Sequence, residues 1–285
     1  YCKKNKRSNL VVYDAINNIL IKNNLIAPKL INKNYKKNYI EIEDFGNLTL
    51  KQLLRNKGAD KFKYYKKLIL LLNQIQKIKT KKIQTFLKKN YKIQNYSNQT
   101  LFDETSLFLK WYLPKFIKGK KKIKLKREMI KIFKNLLNNL IYKKKVFVHR
   151  DYHVSNIMIT KKGIGIIDGQ DAVFGNIAYD LASLIDDVRF KTSKNFKDKI
   201  FNEFIKKNKK LDKDKFKNDF EILSVLRNIK IIGIFTRLSV RDKKKKYLKL
   251  IPRAWNLIEY RIKKNYKFKD LKIIFDKYFP KKIRQ

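Results

Sequence analysis

The sequence predicts an α+β fold of two lobes, a small β-rich one ending near residue 46 and a larger, mainly helical one over 47–285. Apolar residues recur at helical spacing in most long segments after residue 47, whereas β-type runs are confined to about 30–42 and 146–168. With 44% hydrophobic and 13% aromatic residues the chain can bury a sizeable core. Only 4 Pro occur, and neither a repeat nor a proline-rich linker interrupts it.

The elements follow in order. Residues 10–21 (LVVYDAINNILI) have the spacing of a small-lobe helix, leading through Ala27-Pro28 into strands near 30–31 and 39–42. Gly46 and Asn47 mark the crossing to the second lobe. Helices are predicted at 48–54 and at 64–78, the latter with Leu68, Leu71, Leu72, Ile75 and Ile78 on one face. A long amphipathic helix at 123–142 ends just before an apolar strand, 146–148. Further helices are expected at 178–188, 196–205, 220–238, 247–266 and 271–278.

Composition narrows the function classes. A formal net charge of +48 suggests nucleic acid or an anionic surface when taken alone. The charge is mostly Lys, travels with Asn and Ile, and is spread along the chain rather than gathered in one basic helix. Clusters such as 118–126 and 243–246 therefore read as solvated faces or turns, and no specific nucleic-acid partner is expected. No apolar stretch has the length of a membrane span, since 68–72 is short and bracketed by lysines. The single cysteine, Cys2, excludes an intrachain disulfide and suits a reducing cytoplasm.

Residues 146–171, VFVHRDYHVSNIMITKKGIGIIDGQD, carry the chemistry. An apolar strand exits into His149-Arg150-Asp151, Asn156 follows five residues after the Asp, and a second Asp, Asp168, ends another apolar run. The order is strand, polar loop, strand (157–159), turn (Lys161-Lys162-Gly163), strand (164–167), carboxylate. Phosphoryl transfer needs positioning and charge neutralisation more than covalent work, and the form H-R-D-x-x-x-x-N followed by a strand-borne Asp meets that need. Asp151 would accept the proton of the attacking hydroxyl. Asn156 and Asp168 would supply oxygen ligands to magnesium, which takes few protein ligands and fills its shell with phosphates and water. His149 reads as scaffold. His153 is either a substrate or phosphate contact or a surface residue.

The runs HRDYHVSNIMI and IGIIDGQDAVFGNIAYDLASLIDD resemble the aminoglycoside phosphotransferase and choline kinase superfamily, and within it the bacterial anomeric kinases of N-acetylmuramate and N-acetylglucosamine. The stretch Asp168-Gly169-Gln170-Asp171-Ala172, then Gly175 and Tyr179-Asp180-Leu181-Ala182-Ser183-Leu184, is similar to a segment those enzymes carry after the catalytic loop. The resemblance implies a protein-kinase-like bilobal fold, ATP and Mg2+ as cofactors, and a small-molecule acceptor. Cell-wall sugar recycling in the cytoplasm follows from the same resemblance. Gly169 departs from the pattern, standing where an aromatic residue is usual, and predicts looser packing around Asp168.

The same resemblance assigns further roles. Ile42, Glu43, Asp44 and Phe45 look like the hinge whose backbone holds adenine. Asp180, with Arg150, would support the catalytic loop. Residues 104–113 (ETSLFLKWYL) are similar to a family helix, with Trp111 either stacking on a sugar ring or packing as a buried aromatic. Residues 228–238, then Arg241-Asp242 and Tyr247-Leu248, look like the family's C-terminal helices. Asp171 is a sugar contact or a loop cap, and Arg237 an anion contact or a surface ion pair.

The match fails at the beginning, YCKKNKRSNL. The family has two strands and a phosphate-covering loop before this point, and with 8 Gly the chain shows no glycine-rich loop. The small lobe is therefore expected to be incomplete. The competing readings are a choline- or aminoglycoside-type kinase and a non-catalytic binding protein that keeps the fold.

Overall fold

The computed structural model describes residues 1–263 and 265–284. In chain order, α1 (Ser8–Lys22) precedes β1 (Leu30–Asn34) and β2 (Tyr39–Ile42), then α2 (Leu50–Leu53) and α3 (Lys61–Gln76). A short hairpin of β3 (Lys82–Gln84) and β4 (Asn90–Lys92) leads to α4 (Asn98–Thr105), α5 (Leu113–Phe116) and α6 (Gly119–Asn138). Strands β5 (Lys145–Val148), β6 (Ile157–Thr160), β7 (Gly163–Ile166) and β8 (Val173–Asn176) form the polar-loop block. Helices α7 (Tyr179–Ile185), α8 (Lys194–Lys207), α9 (Lys213–Val240), α10 (Ile251–Ile262), α11 (Lys269–Tyr278) and α12 (Lys281–Arg284) complete the chain.

These elements fall into two compact units. The first comprises Tyr1–Asn95, Lys144–Ile185 and Thr192–Lys209; the second comprises Tyr96–Lys143, Asp186–Lys191 and the chain from Lys210 onward. The sequence-derived lobe boundary at residue 46 lies inside the first unit, which also holds the whole block from β5 to β8.

In the first unit the strands pair as antiparallel hairpins, β1 with β2, β3 with β4 and β6 with β7, while β5 pairs with β8 across the intervening polar loop and hairpin. The β6–β7 hairpin is held on both edges. Ile166 N–H donates to the Ile26 carbonyl at 2.8 Å, and Ile159 N–H to Leu48 at 2.9 Å. Helix α2 begins at a reciprocal cap in which Thr49 and Gln52 satisfy each other's backbone amides. That cap is why the helix expected over 48–54 starts only at Leu50.

The second unit is built on α9, whose sequence is apolar on most faces and whose side chains are correspondingly buried. Around it Phe108, Tyr112, Trp255, Phe275 and Phe279 pack with ring centroids 4.8–6.2 Å apart. The single helix expected over 104–113 is not formed. α4 ends at Thr105, a π-turn runs over Phe108–Tyr112, and α5 starts with Pro114 in its first turn. Proline has no N–H to offer the carbonyl of Lys110, so the α ladder cannot pass through it and the wider turn takes up the break. Pro252 has the same effect on the helix expected over 247–266, which becomes a 3-10 turn (Lys245–Leu250) followed by α10.

Candidate active site

The block folds as its spacing predicts, and the structure adds how it is held. Strand β5 delivers His149, Arg150 and Asp151 into a loop, and Asp180 in the first turn of α7 grips that loop from beneath. Its carboxylate accepts the amides of His149 at 2.7 Å and Arg150 at 3.0 Å. Arg150 has φ +73°, a left-handed conformation that costs a non-glycine residue about 1–3 kcal/mol. Two charge-assisted hydrogen bonds to a fully buried carboxylate offset that cost. Tyr152 ties the loop to α3, its hydroxyl donating to the Leu68 carbonyl at 2.7 Å.

The loop closes on itself. His153 N–H donates to the Asp151 carbonyl at 3.0 Å, and Asn156 N–H to the His153 carbonyl at 2.9 Å. The Asn156 side-chain amide donates to the Asp151 carbonyl at 3.1 Å, so its nitrogen is engaged and its oxygen is the atom it could offer a cation. Ile167 N–H returns to the Asn156 backbone carbonyl at 3.1 Å, so Asn156 and the approach to Asp168 are locked together. His153 is buried, which overturns its reading as a surface residue.

Asp168 also adopts a left-handed φ, +62°, which Asp tolerates better than most residues. Burial holds its carboxyl above the usual carboxylate range, and the charges of Asp151 and Asp171 push it further. Three acids are therefore within electrostatic reach of one another in a strongly basic chain. Asp171 meets Arg150, whose guanidinium donates to its carbonyl at 3.1 Å and lies 3.7 Å from its carboxylate. His149 is fully buried, and burial keeps its pKa below the ordinary value of 6.5 against the opposing pull of Asp151.

Gly169 corrects the expectation of loose packing. It is buried against α1, and a Cβ there would stand 3.1 Å from Ile16 Cγ2 and 3.6 Å from His149 Nε2. The helix comes in close because no side chain intervenes. In the segment expected to form the hinge, Ile42 ends β2, Glu43 N–H donates to the Lys29 carbonyl at 2.8 Å, and residues 43–46 leave the strand pairing. The Glu43 carboxylate pairs with Lys162 at 2.6 Å. Asp44 caps the turn by accepting Gly46 N–H at 2.8 Å. The Phe45 ring lies over Gly165, where a Cβ would be 2.7 Å from Cε2, so only glycine fits on that strand.

Sequence reasoning missed two tyrosines. Tyr13 on α1 feels the charge of Asp168, Tyr91 on β4 feels that of Asp171, and burial raises the pKa of both. Three-residue strands flanked by lysines, as around Tyr91, give no readable period. Trp111 and Arg237 lie in the second unit, apart in the chain from this cluster.

Among the described residues no three His, Cys, Asp or Glu side chains are arranged to hold a metal by themselves. Asn156 and Asp168 offer two oxygen ligands beside a carboxylate cluster whose mutual repulsion a hard cation would relieve. That donor set fits magnesium, which keeps water and phosphate oxygens in its shell.

The model of the phosphotransferase enzyme family matches residues 38–210, from the start of β2 through the β5–β8 block to just past α8. The chain belongs to this family. This phosphotransferase is 30% identical over 247 residues to an N-acetylmuramate/N-acetylglucosamine kinase of Neisseria meningitidis, covering 84% of the chain and 71% of the relative. It is 27% identical over 266 residues to the enzyme of the same name from Caulobacter vibrioides, covering 92% and 72%. Its fold is similar to that of the gentamicin complex of APH(2'')-IIa, with a TM-score of 0.61 at 15% identity over 89% of this chain and 82% of the other. The kinase-like fold is thereby shown, and no described helix is long and apolar enough to cross a membrane.

Proposed function

We propose that this phosphotransferase uses ATP and Mg2+ to phosphorylate a sugar hydroxyl, the anomeric hydroxyl of N-acetylmuramate or N-acetylglucosamine, in the cytoplasmic recycling of cell-wall sugars. The observation that carries the reading is the locked loop Asp151–Asn156 beside Asp168, together with relatives named for that activity across most of the chain.

Asp151 accepts the proton of the attacking hydroxyl, and its loop is fixed by the Asp180 clamp and the Tyr152 anchor. Asn156 and Asp168 would hold magnesium, which supplies charge neutralisation for the transferring phosphoryl group. The backbone of Ile42, Glu43, Asp44 and Phe45 holds adenine at the lobe boundary near residue 46. His153 and Asp171 contribute to the acceptor side, and His149, Arg150 and Asp180 support the loop.

A kinase assay on the intact protein with N-acetylmuramate, N-acetylglucosamine and choline tests this directly. Asp151→Asn should lower kcat by about 100- to 10,000-fold while leaving the thermal transition in place. An Asp151→Asn variant as active as the parent removes the mechanism; turnover of choline alone removes the sugar.

A further inference from the structure

Within the first unit, the segment that follows β2 is laid across the β6–β7 hairpin and touches both of its strands. Glu43 pairs with Lys162 in the hairpin turn at 2.6 Å. The Phe45 ring rests on Gly165 of β7. Leu48 then accepts the Ile159 N–H at 2.9 Å, and Thr49 bridges to Met158 on β6. Over residues 43–49 the chain thus passes from the turn, across one strand, to the edge of the other. The crossing depends on one missing side chain. Gly165 does not have a positive φ, so its backbone would suit any residue, and what glycine supplies there is space. A Cβ would stand 2.7 Å from Phe45 Cε2 and 2.9 Å from Cδ2, well inside the separation at which carbons pack. Phe45 is only half-buried, so its ring is seated by this strand rather than enclosed in a core.

The same hairpin carries both candidate metal ligands. Asn156 stands immediately before Ile157 at the start of β6, and Asp168 follows Ile166, the end of β7, by two residues. Ile157 and Ile166 are register partners, and Ile167 N–H donates to the Asn156 carbonyl at 3.1 Å. Asn156 and Asp168 therefore leave one end of one hairpin. Gly165 precedes Asp168 by three residues, and at about 3.3 Å per residue the Phe45 seat lies within about 10 Å of chain from the carboxylate-bearing backbone.

We infer that Phe45 is a positioning residue: its ring, seated on Gly165, fixes the backbone of 42–45 relative to Asn156 and Asp168, and so aligns a nucleotide held by the one with the metal held by the other. The inference rests on the nucleotide and magnesium reading above and adds the side chain that joins its two halves. Alignment matters because phosphoryl transfer is largely a matter of geometry, in which a misplacement of about 1 Å can cost about 100-fold. The Glu43–Lys162 pair acts in the same sense, but Lys162 is mostly exposed and a surface ion pair contributes little.

The test measures Mg-ATP binding by calorimetry, and KM for ATP and for the sugar, on the intact protein. Gly165→Ala, which pushes the ring off its seat, should weaken Mg-ATP binding about 5- to 50-fold and raise KM for ATP in step, with KM for the sugar changed by less than about threefold. Phe45→Ala should weaken Mg-ATP binding about 3- to 30-fold, and it serves if the Gly165 variant folds poorly. The double variant decides the matter. In the Phe45→Ala background, Gly165→Ala should cost less than about twofold, because the ring it displaces is gone. Lys162→Ala should likewise change binding by less than about twofold. Additive losses in the double variant, equal losses on ATP and sugar, or no loss from either single variant would each overturn the role of Phe45. Binding is read without turnover, so a parent inactive on both sugars overturns the acceptor reading and not the seat. A parent that binds no Mg-ATP overturns the nucleotide reading, and the role of Phe45 with it.

Discussion

The two units treat their acidic residues in opposite ways. In the second, several carboxylates are paired with protein cations: Asp186 with Arg261 at 2.8 Å, Glu104 with Lys230 at 2.7 Å, and Glu259 and Asp276 with Arg284, both at 2.8 Å. These pairs surround an aromatic core and serve to hold helices together. In the first, Asp151, Asp168 and Asp171 are gathered within each other's field, and burial plus that field raises the pKa of Asp168. One arrangement neutralises its acids within the protein; the other leaves three carboxylates to repel one another. The contrast shows where stability and activity part company in this molecule.

The comparison can be broken most forcefully in the second unit. Arg261→Met strips the partner from Asp186, which is fully buried and otherwise receives the Ser224 hydroxyl at 2.5 Å. Removing one partner of that buried ion pair should cost about 3–5 kcal/mol in a denaturant titration, a large share of the stability of an ordinary domain. A loss below about 1 kcal/mol would show that the pair is not structural.

Asp168→Asn should act with the opposite sign. In metal-free protein the Asp168 carboxyl keeps its proton to a higher pH when folded than when unfolded. As pH rises through that window the unfolded state releases the proton first, and folding loses ground. Asparagine removes the charge and suits the left-handed φ. The variant should therefore melt about 1–4 °C higher at neutral pH while losing activity, and a lower Tm would contradict the carboxylate-repulsion account.

The smallest effect concerns His149. Its folded pKa lies below the ordinary 6.5 because burial opposes the charged form. The unfolded chain therefore binds a proton first as pH falls below about 6.5, and stability drops toward acid. His149→Gln should flatten the pH dependence of Tm below about pH 6.5. An unchanged slope would place the acid sensitivity elsewhere.

Much of the fold was legible because helical and strand periods are local. The segments 10–21, 39–42 and 157–159 lie in elements of the expected type, and 164–167 does so as far as Ile166. Local breaks were harder, because Pro114 and Pro252 interrupt patterns that hydrophobic spacing alone extends through them. The β3–β4 hairpin and β8 escaped notice, being too short to show a period.

By itself the sequence determined the order strand, loop, strand, turn, strand, and with it the spacing of Asp151, Asn156 and Asp168, because those distances are set by a few residues of chain. Only the tertiary structure decided how the loop is held in a left-handed turn by Asp180, some thirty residues away. It likewise decided that Gly169 draws α1 inward and that Gly233 lets α9 pass against the backbone of Leu107 and Phe108. Those outcomes depend on which distant surfaces pack together, and no local spacing records that.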